Sequence, residues 1–360
     1  MTAQKKVLFL VNSLKFRSGI ERVACNLANE LVKTNNFDVT VINRNTDKNS
    51  VAYELNDSVK VEALQGNLFS FYIKLKKIIE KNNYDYIVVH NMGKLTLFTA
   101  LLLPRIKGKV VSLEHVAFIS RPFLIRKLSA LIYPKAVNYV VTLTKNDLQS
   151  YSFVKRKVCI PNASYLNAKA KAKAKVSENK KIVAVGRYNF QKNYKDLLKI
   201  WSNLYKEFPD WVLEIYGEGE QKEGLLQLKK TYDLDNIYLK DVTSDIISVY
   251  KSSSIYVMTS IFEGLPMVLI EAQQFALPII SYDCPYGPSE VINHELNGFL
   301  VKLGDVDDFS NKLRVLMKSE EKINEFSLNS LKASKRFDPI TINKMWMDLF
   351  RLMEDRNDQN

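Results

Sequence analysis

The chain has 360 residues, 46% hydrophobic and 25% charged, the composition of a globular protein long enough for two domains. Its longest apolar runs, such as LTLFTALLLP, are too short to span a bilayer, and VLFLV behind two lysines is too short for a signal-peptide core. The formal charge of +13 sits in one half: residues 1–165 hold 25 Lys+Arg against 11 Asp+Glu, and residues 166–360 hold 27 against 28. That asymmetry points the first half towards an anionic partner: nucleic acid, an anionic membrane or a phosphorylated substrate.

Apolar strands and amphipathic helices alternate along the chain. VLFLV (7–11) leads into a polar loop with Ser18 and Gly19, then a helix from about Ile20 to Lys33, whose apolar residues Val23, Ala24, Leu27, Ala28 and Leu31 share one face. FDVTVI, YDYIVVH, KVVSLEH and NYVVTLT supply further strands. Near residue 160 the pattern pauses at PNAS and the alternating AKAKAKAKVSENKK, which has no apolar face and reads as a solvated linker. It restarts at KIVAVGRY, with WVLEIYG, NIYLKDV, SSIYVM, LPIISY and GFLVKL as strands. The tail ITINKMWMDLFRLME spaces Ile340, Ile342, Met345, Trp346, Leu349, Phe350 and Met353 for one helix face. The expected fold class is α/β: two Rossmann-like domains, 1–165 and 181–335, joined by a linker at 166–180. A helix over 336–360 is expected to pack back on the first domain.

The stretch TSIFEGLPMVLIEAQ places Glu263 and Glu271 in an otherwise apolar segment. Pro266 suits a helix start, so Glu263 falls at the carboxyl end of a strand and Glu271 on the following helix. In open α/β sheets that edge is where ligands bind, although an acid there can also merely complement the helix dipole. After KIVAVG come Arg187 and Lys192, two cations able to clamp a diphosphate; surface cations would look the same. YGEGE offers Gly217 and Gly219 for close backbone approach to a ligand, and CPYGPSEVINHELNGFLV holds Gly287, Pro288 and Glu290.

In this order these segments resemble glycosyltransferase family 4, the retaining sugar-nucleotide transferases of the GT-B fold, in which two Rossmann-like domains face a central cleft. The resemblance covers nearly the whole chain. VGRYNFQKN, YGEGE, SSIYVMTSIFEGLPMVLIEA and GFLV match the ordered motifs of the second half. VNSLKFRSGIERVACNLANEL looks like the Gly-rich loop and first helix, and CPYGPSEVI is similar to bacterial enzymes that build surface polysaccharides or lipid-linked oligosaccharides. The resemblance implies that Glu271 accepts hydrogen bonds from the ribose hydroxyls and that Glu263 holds the transferred sugar. Arg187 and Lys192 would stabilise the leaving nucleoside diphosphate, with Gly264 and Leu265 offering backbone N–H groups to it. It places Gly19 and Gly217 beside the donor, and His115, at the end of VVSLEH, against the donor sugar. Val242 begins the base-contacting loop, but Asp241 stands where a Gly is common, and Ser18 replaces one of a Gly pair. UDP is favoured over GDP only as the commoner base. His90, after IVV, is a further candidate for touching substrate.

DLD (233–235) and DVD (305–307) have the letters of a metal-binding cluster but read as a turn and a helix cap, so no metal or other cofactor is expected. Cys25, Cys159 and Cys284 are scattered with no CxxC, implying neither disulfide framework nor zinc knuckle. The expected activity is transfer of a hexosyl-type group from a nucleotide sugar to a saccharide acceptor, lipid-linked by this reading. The alternatives are a GT-B sugar-nucleotide epimerase, or a nucleic-acid-binding protein suggested by the basic first half, which lacks any RNP, helix-turn-helix or zinc signature. Basic clusters KLKK (74–77), RIKGK (105–109), RPFLIRK (121–127) and VKRK (154–157), with apolar residues interleaved in RPFLIRKLSALIY, suggest a cytoplasmic enzyme peripheral on an anionic membrane. A solvated basic surface over a core helix is the plainer account.

Overall fold

Strands apolar at nearly every position need helices on both faces of their sheet. KKVLFL and YIVVHN behave this way: from Val7 the first is buried throughout, and the second is buried at all its residues. A computed structural model describes residues 4–16, 19–44, 46–91, 93–100, 108–166 and 179–355. It divides into two units, residues 1–163 with 339–360, and residues 164–338.

In the first unit the elements are β1 (Lys5–Leu10), α1 (Gly19–Lys33), β2 (Phe37–Asn43), β3 (Lys60–Ala63), α2 (Leu68–Asn82), β4 (Tyr86–Asn91), α3 (Leu95–Ala100), β5 (Lys109–Glu114), α4 (Phe123–Ala136), β6 (Tyr139–Thr142), α5 (Lys145–Gln149) and β7 (Lys157–Cys159). The strands form a parallel sheet in the order β3-β2-β1-β4-β5-β6-β7. The second unit holds β8 (Lys181–Val185), α6 (Tyr194–Ser202), β9 (Val212–Tyr216), α7 (Lys222–Thr231), β10 (Ile237–Lys240), α8 (Ile246–Lys251), β11 (Ile255–Met258), α9 (Met267–Gln274), β12 (Ile279–Tyr282), α10 (Pro288–Val291), β13 (Gly298–Val301), α11 (Val306–Lys318) and α12 (Glu320–Ser334). Its parallel order is β10-β9-β8-β11-β12-β13. Both sheets are doubly wound, and each reverses its winding between its first strand and its fourth. The crevice outside the carboxyl ends of those two strands is where such sheets take ligands.

α13 (Pro339–Asp355) belongs to the first unit. Ile342, Trp346, Leu349, Phe350 and Met353 are buried, the Phe350 ring lies 4.5 Å from that of Tyr86, and the Tyr86 hydroxyl donates to Glu354 at 2.8 Å. Ile340 departs from the expected face: it precedes the packed turns and is 85% exposed. The unit boundaries also differ from the expected ones. Ser164 N donates to Phe337 O at 3.1 Å and its hydroxyl donates to Gln274 at 2.7 Å, so both 164–165 and 336–338 go with the second unit. Most of the Ala-Lys linker, residues 167–178, lies outside the described residues, as do Ser18 and residues 105–107 of RIKGK.

One expected surface cation is in the core. Arg121, at the head of RPFLIRK, is 4% exposed and pairs with the fully buried carboxylate of Glu114. That carboxylate also accepts from Ser112 Oγ at 2.6 Å and Asn91 Nδ2 at 3.0 Å. A buried ion pair is tolerable only when its remaining lone pairs are satisfied in this way. Arg121 therefore anchors the loop ahead of α4 and adds nothing to a basic surface. The apolar residues of α4 do face outwards: Phe123, Leu124 and Leu131 are each more than 60% exposed.

Candidate active site

In the second unit the switch point lies between β8 and β11. The segment after β8 carries Gly186, Arg187 and Lys192, and the segment after β11 carries Glu263, Gly264 and Leu265. Thr259 Oγ1 donates to Lys192 O at 3.0 Å and Ile261 N to Gln191 O at 2.9 Å, which fixes the two loops against each other. Lys192 Nζ donates to Glu263 Oε1 at 2.6 Å, with both side chains largely buried. Gln191 Nε2 reaches the other oxygen, Oε2, at 3.3 Å. Arg187 is exposed and makes no hydrogen bond or ion pair through its guanidinium among the described residues. The N–H groups of Gly264 and Leu265 likewise donate to nothing among the described residues, just ahead of α9, whose first turn has no side-chain cap. One cation, two free N–H groups and a helix start thus meet at one crevice, an arrangement suited to a diphosphate.

Glu271 sits one helical turn and more beyond, on α9, only 5% exposed. The hydroxyl of Tyr250, from α8, donates to its Oε2 at 3.0 Å. Val242, after β10, is 62% exposed, while Asp241 beside it is held by Lys222 at 2.5 Å. The glycines of these loops also have a packing role of their own. A Cβ on Gly217 would stand 1.9 Å from the Gly186 carbonyl oxygen, and one on Gly219 (φ +151°) 2.4 Å from that of Tyr188. The chain's own backbone takes this space, locking the ends of β8 and β9 together. Gly287 does the same for CPYGP, since its Cβ would lie 2.2 Å from Gly264 O. Cys284, next to that turn, is buried, and burial pushes its thiol up to about 12, so it is no nucleophile.

In the first unit the switch point lies between β1 and β4. Gly19 opens α1 after β1, with nothing within 4 Å of where its Cβ would be. His90, on β4, and His115, just past β5, bring their rings together: His90 Nδ1 and His115 Nε2 are 3.1 Å apart and the rings stack at 16°. Burial lowers the His115 pKa from 6.5 to about 3, and burial with the neighbouring His115 holds His90 well below its usual value. Both imidazoles are neutral near pH 7, so they serve as hydrogen-bond partners and not as charges.

Asp305 caps α11 by accepting from Asp308 N at 3.0 Å, and Asp233 has a left-handed φ of 53°, so DVD is a cap and DLD a turn. Among the described residues no group of three His, Cys, Asp or Glu is placed to hold a metal ion. The second unit therefore assembles Arg187, Lys192, Glu263, Gly264, Leu265 and Glu271, with Gly217 supporting them from behind. His115 and Gly19 belong to the first unit. Gln191 and Tyr250 are partners that spacing did not single out. Gln191 is legible in hindsight inside RYNFQKN, whereas Tyr250 meets Glu271 only through the tertiary fold.

Two doubly wound parallel-sheet units, with acids and cations together at one switch point, place the chain in the α/β fold class of the GT-B kind. Residues 17–163 match the description Glycosyltransferase Family 4, and residues 167–333 match Glycosyl transferases group 1. The amylovoran biosynthesis glycosyltransferase AmsD of Erwinia amylovora is 31% identical over 354 residues, covering 96% of this chain and 99% of that protein. The UDP-Gal:alpha-D-GlcNAc-diphosphoundecaprenol alpha-1,3-galactosyltransferase of Escherichia coli is 27% identical over 359 residues, covering 89% of each chain. Among solved structures, Anabaena Alr3699/HepE in complex with UDP superposes with a TM-score of 0.81 at 16% identity, over 96% of this chain and 99% of that one, a likeness of fold. This chain belongs to the family 4 type of bacterial glycosyltransferases.

Proposed function

We propose that the chain is a retaining, metal-independent glycosyltransferase that moves a sugar from a UDP-sugar to a saccharide carried on a lipid diphosphate, in building a bacterial surface polysaccharide or glycan. The observation that carries this is the crevice after β8 and β11, where Lys192 and Glu263 meet at 2.6 Å beside the exposed Arg187 and the free N–H groups of Gly264 and Leu265. Negative charge grows on the leaving diphosphate in the transition state, and preorganised donors aimed at it are the largest catalytic term. Arg187, Lys192 and the two N–H groups take that role. Glu271, oriented by Tyr250, accepts from the ribose hydroxyls, since one carboxylate supplies the two oxygens needed. Glu263 holds the sugar while it holds Lys192. For His115 we propose that the neutral imidazole hydrogen-bonds a hydroxyl of the donor sugar, accepting from it when its own N–H is given to His90. Front-face attack fits a site whose largely buried carboxylate is already committed to Lys192 and Gln191. The E. coli and Erwinia relatives, by their names, support the UDP donor, the lipid diphosphate and the polysaccharide setting.

No helix among the described residues is long and apolar enough to cross a membrane. We propose peripheral attachment through α4, whose exposed Phe123, Leu124 and Leu131 lie beside Lys127, 4.6 Å above the Phe123 ring. Incubation with labelled nucleotide sugars, a lipid-diphosphate saccharide and EDTA, followed by NMR of the product anomer, tests the reaction. An α-linked product from an α-linked donor, formed in EDTA, is expected; inversion, or a metal requirement, would overturn those parts. Full-length protein should co-sediment with anionic but not zwitterionic vesicles and be released by salt. Recovery in the supernatant with both would reject attachment.

A further inference from the structure

Two strand ends bring His90 and His115 within 3.1 Å of each other, and the residues beside them are held by their own side chains. Asn91 follows His90 at the end of β4, and Glu114 precedes His115 at the end of β5. Asn91 and Glu114 are partners in the parallel register, and His115 N donates to Asn91 O at 3.1 Å. Successive side chains of a strand point to opposite faces, so Asn91 and Glu114 meet on the face of the sheet away from His90. There Asn91 Nδ2 donates to Glu114 Oε2 at 3.0 Å and to the hydroxyl of Tyr133, on α4, at 2.8 Å. Asn91 Oδ1 accepts from Gly93 N at 2.9 Å and from Leu95 N at 3.0 Å. A side-chain amide has two donors and two acceptor positions. All four are used, which leaves Asn91 one orientation.

Glu114 is as fully engaged. Its Oε1 accepts from Ser112 Oγ at 2.6 Å, and its Oε2 accepts from Asn91 and from Arg121. Arg121 also reaches Val116 O at 3.4 Å, and Phe118 N donates to Asp147 Oδ1 at 2.8 Å, so the chain after His115 is fixed as well. Asn91, Glu114 and Arg121 are each at most 4% exposed, whereas His115 is only partly buried. A buried ion pair gives little or no gain in stability over apolar side chains of similar volume. Stability alone therefore does not account for a carboxylate and a guanidinium under this edge. Their effect is geometric: they set the spacing of the two strand ends, and with it the contact between the imidazoles.

We infer that Asn91 and Glu114 are positioning residues for His115. They clasp the ends of β4 and β5 so that His90 orients the His115 ring for the donor sugar, and Arg121 is the buried counter-charge of Glu114. The assignment rests on the sugar contact proposed above for His115 and adds the residues that set its geometry.

Two double variants of the full chain test it, each removing both charges so that no buried ion is left unpaired. Glu114→Leu with Arg121→Met takes the clasp away; Glu114→Gln with Arg121→Met keeps an acceptor for Asn91. The readouts are the melting temperature, UDP affinity, kcat for sugar transfer and the imidazole 15N shifts, with the exposed His294 as internal reference. The first double variant should melt within a few degrees of wild type and bind UDP unchanged, because Arg187 and Glu271 lie in the second unit. Its His90 and His115 signals should move, His294 should not, and kcat should fall about tenfold or more, as misplacement of a substrate contact does. The second double variant should keep both signals and most of the rate. Tyr133→Phe, which removes one acceptor of Asn91, should move the same signals less and carries the test if the first double variant does not fold. Unmoved His90 and His115 signals in the variant that carries the test overturn the clasp. Equal losses of rate in the two double variants overturn it too, since charge and not hydrogen bonding would then matter. Moved signals with an undiminished kcat overturn the positioning role if His115→Ala loses rate. If His115→Ala is as fast as wild type, the sugar-contact reading fails instead, and the clasp on the imidazole pair stands.

Discussion

The two units wind their sheets in the same way and place chemistry at the same edge, yet they treat charge differently there. In the second unit the acids are already engaged: Glu263 with Lys192 and Gln191, Glu271 with Tyr250. In the first unit Arg44, just after β2, and Lys94, just ahead of α3, have no carboxylate among the described residues, and the histidines that end β4 and follow β5 are held neutral by burial. A ligand entering the second unit must share a preorganised ion pair. One entering the first meets cations with no internal competitor. On the function proposed here, the second unit's edge responds to charge that develops during the reaction, whereas the first unit's edge carries cations with no carboxylate partner among the described residues.

The largest effect separating these roles should come from the leaving-group cations. Arg187→Ala or Lys192→Ala is expected to lower kcat by roughly two to three orders of magnitude, as loss of a charge-stabilising donor does. Arg187 is exposed, so its variant should melt with wild type; Lys192→Ala should also melt lower, because Glu263 loses its partner while largely buried. Steady-state rates with a nucleotide sugar, read beside thermal melts, check both. Near-normal turnover in a folded double variant would erase the contrast between the units.

Next in size is a backbone effect. Gly217→Ala drives a methyl into the Gly186 carbonyl, and forcing such an overlap costs roughly 1–3 kcal/mol or more. The strand ends that carry Arg187 must then part, so both the melting temperature and donor affinity should fall. The same change at Gly19, where nothing lies within 4 Å, should leave stability nearly unchanged. Equal melting shifts at the two positions would contradict the packing role of Gly217.

How much of this was legible in the sequence follows from what holds each part in place. The second unit's site is local: cations within one loop and two acids within nine residues, at spacings a reader of the sequence can see. Strand and helix periodicity likewise marked every element bearing those residues. The first unit's clasp is assembled from the ends of two strands and the loop ahead of α4, so Asn91, Glu114 and Arg121 carry no shared spacing. Arg121 misled for a related reason. Its neighbours Arg126 and Lys127 suggest a basic surface, but Glu114, seven residues earlier, draws it inside. Ile340 failed because helical spacing does not reveal where packing begins. The glycines of YGEGE have a packing reason that spacing does not show, since the chain's own backbone stands where their Cβ atoms would be.

A smaller effect should divide the two acids. Glu271→Gln keeps shape and still accepts from Tyr250, but a neutral acceptor binds ribose hydroxyls less well; a loss of about 1–2 kcal/mol in UDP affinity is expected. Glu263→Gln should bind UDP nearly as wild type and lose transfer rate. Titration with UDP alone against kcat for the full reaction gives the split. Identical losses of UDP affinity in the two variants would merge the roles.

The smallest effect is acid sensitivity in the first unit. His115 has its folded pKa lowered to about 3 by burial, while the unfolded chain protonates near 6.5. The unfolded state therefore takes up protons first. The histidine's contribution to stability is complete above pH 6.5 and is lost as the pH falls from there towards 3. Asp147, also in this unit, runs the other way: burial raises its carboxyl from 3.8 to about 6, so it costs stability as the pH rises through that window. The wild-type melting curve mixes the two. His115→Asn removes the first and leaves the second, since Asn does not titrate and retains a donor for His90. Between pH 7 and pH 5 the variant should gain in melting temperature relative to wild type, even if it starts lower. A difference independent of pH over that range would mean that burial in the first unit does not hold the His90–His115 pair neutral.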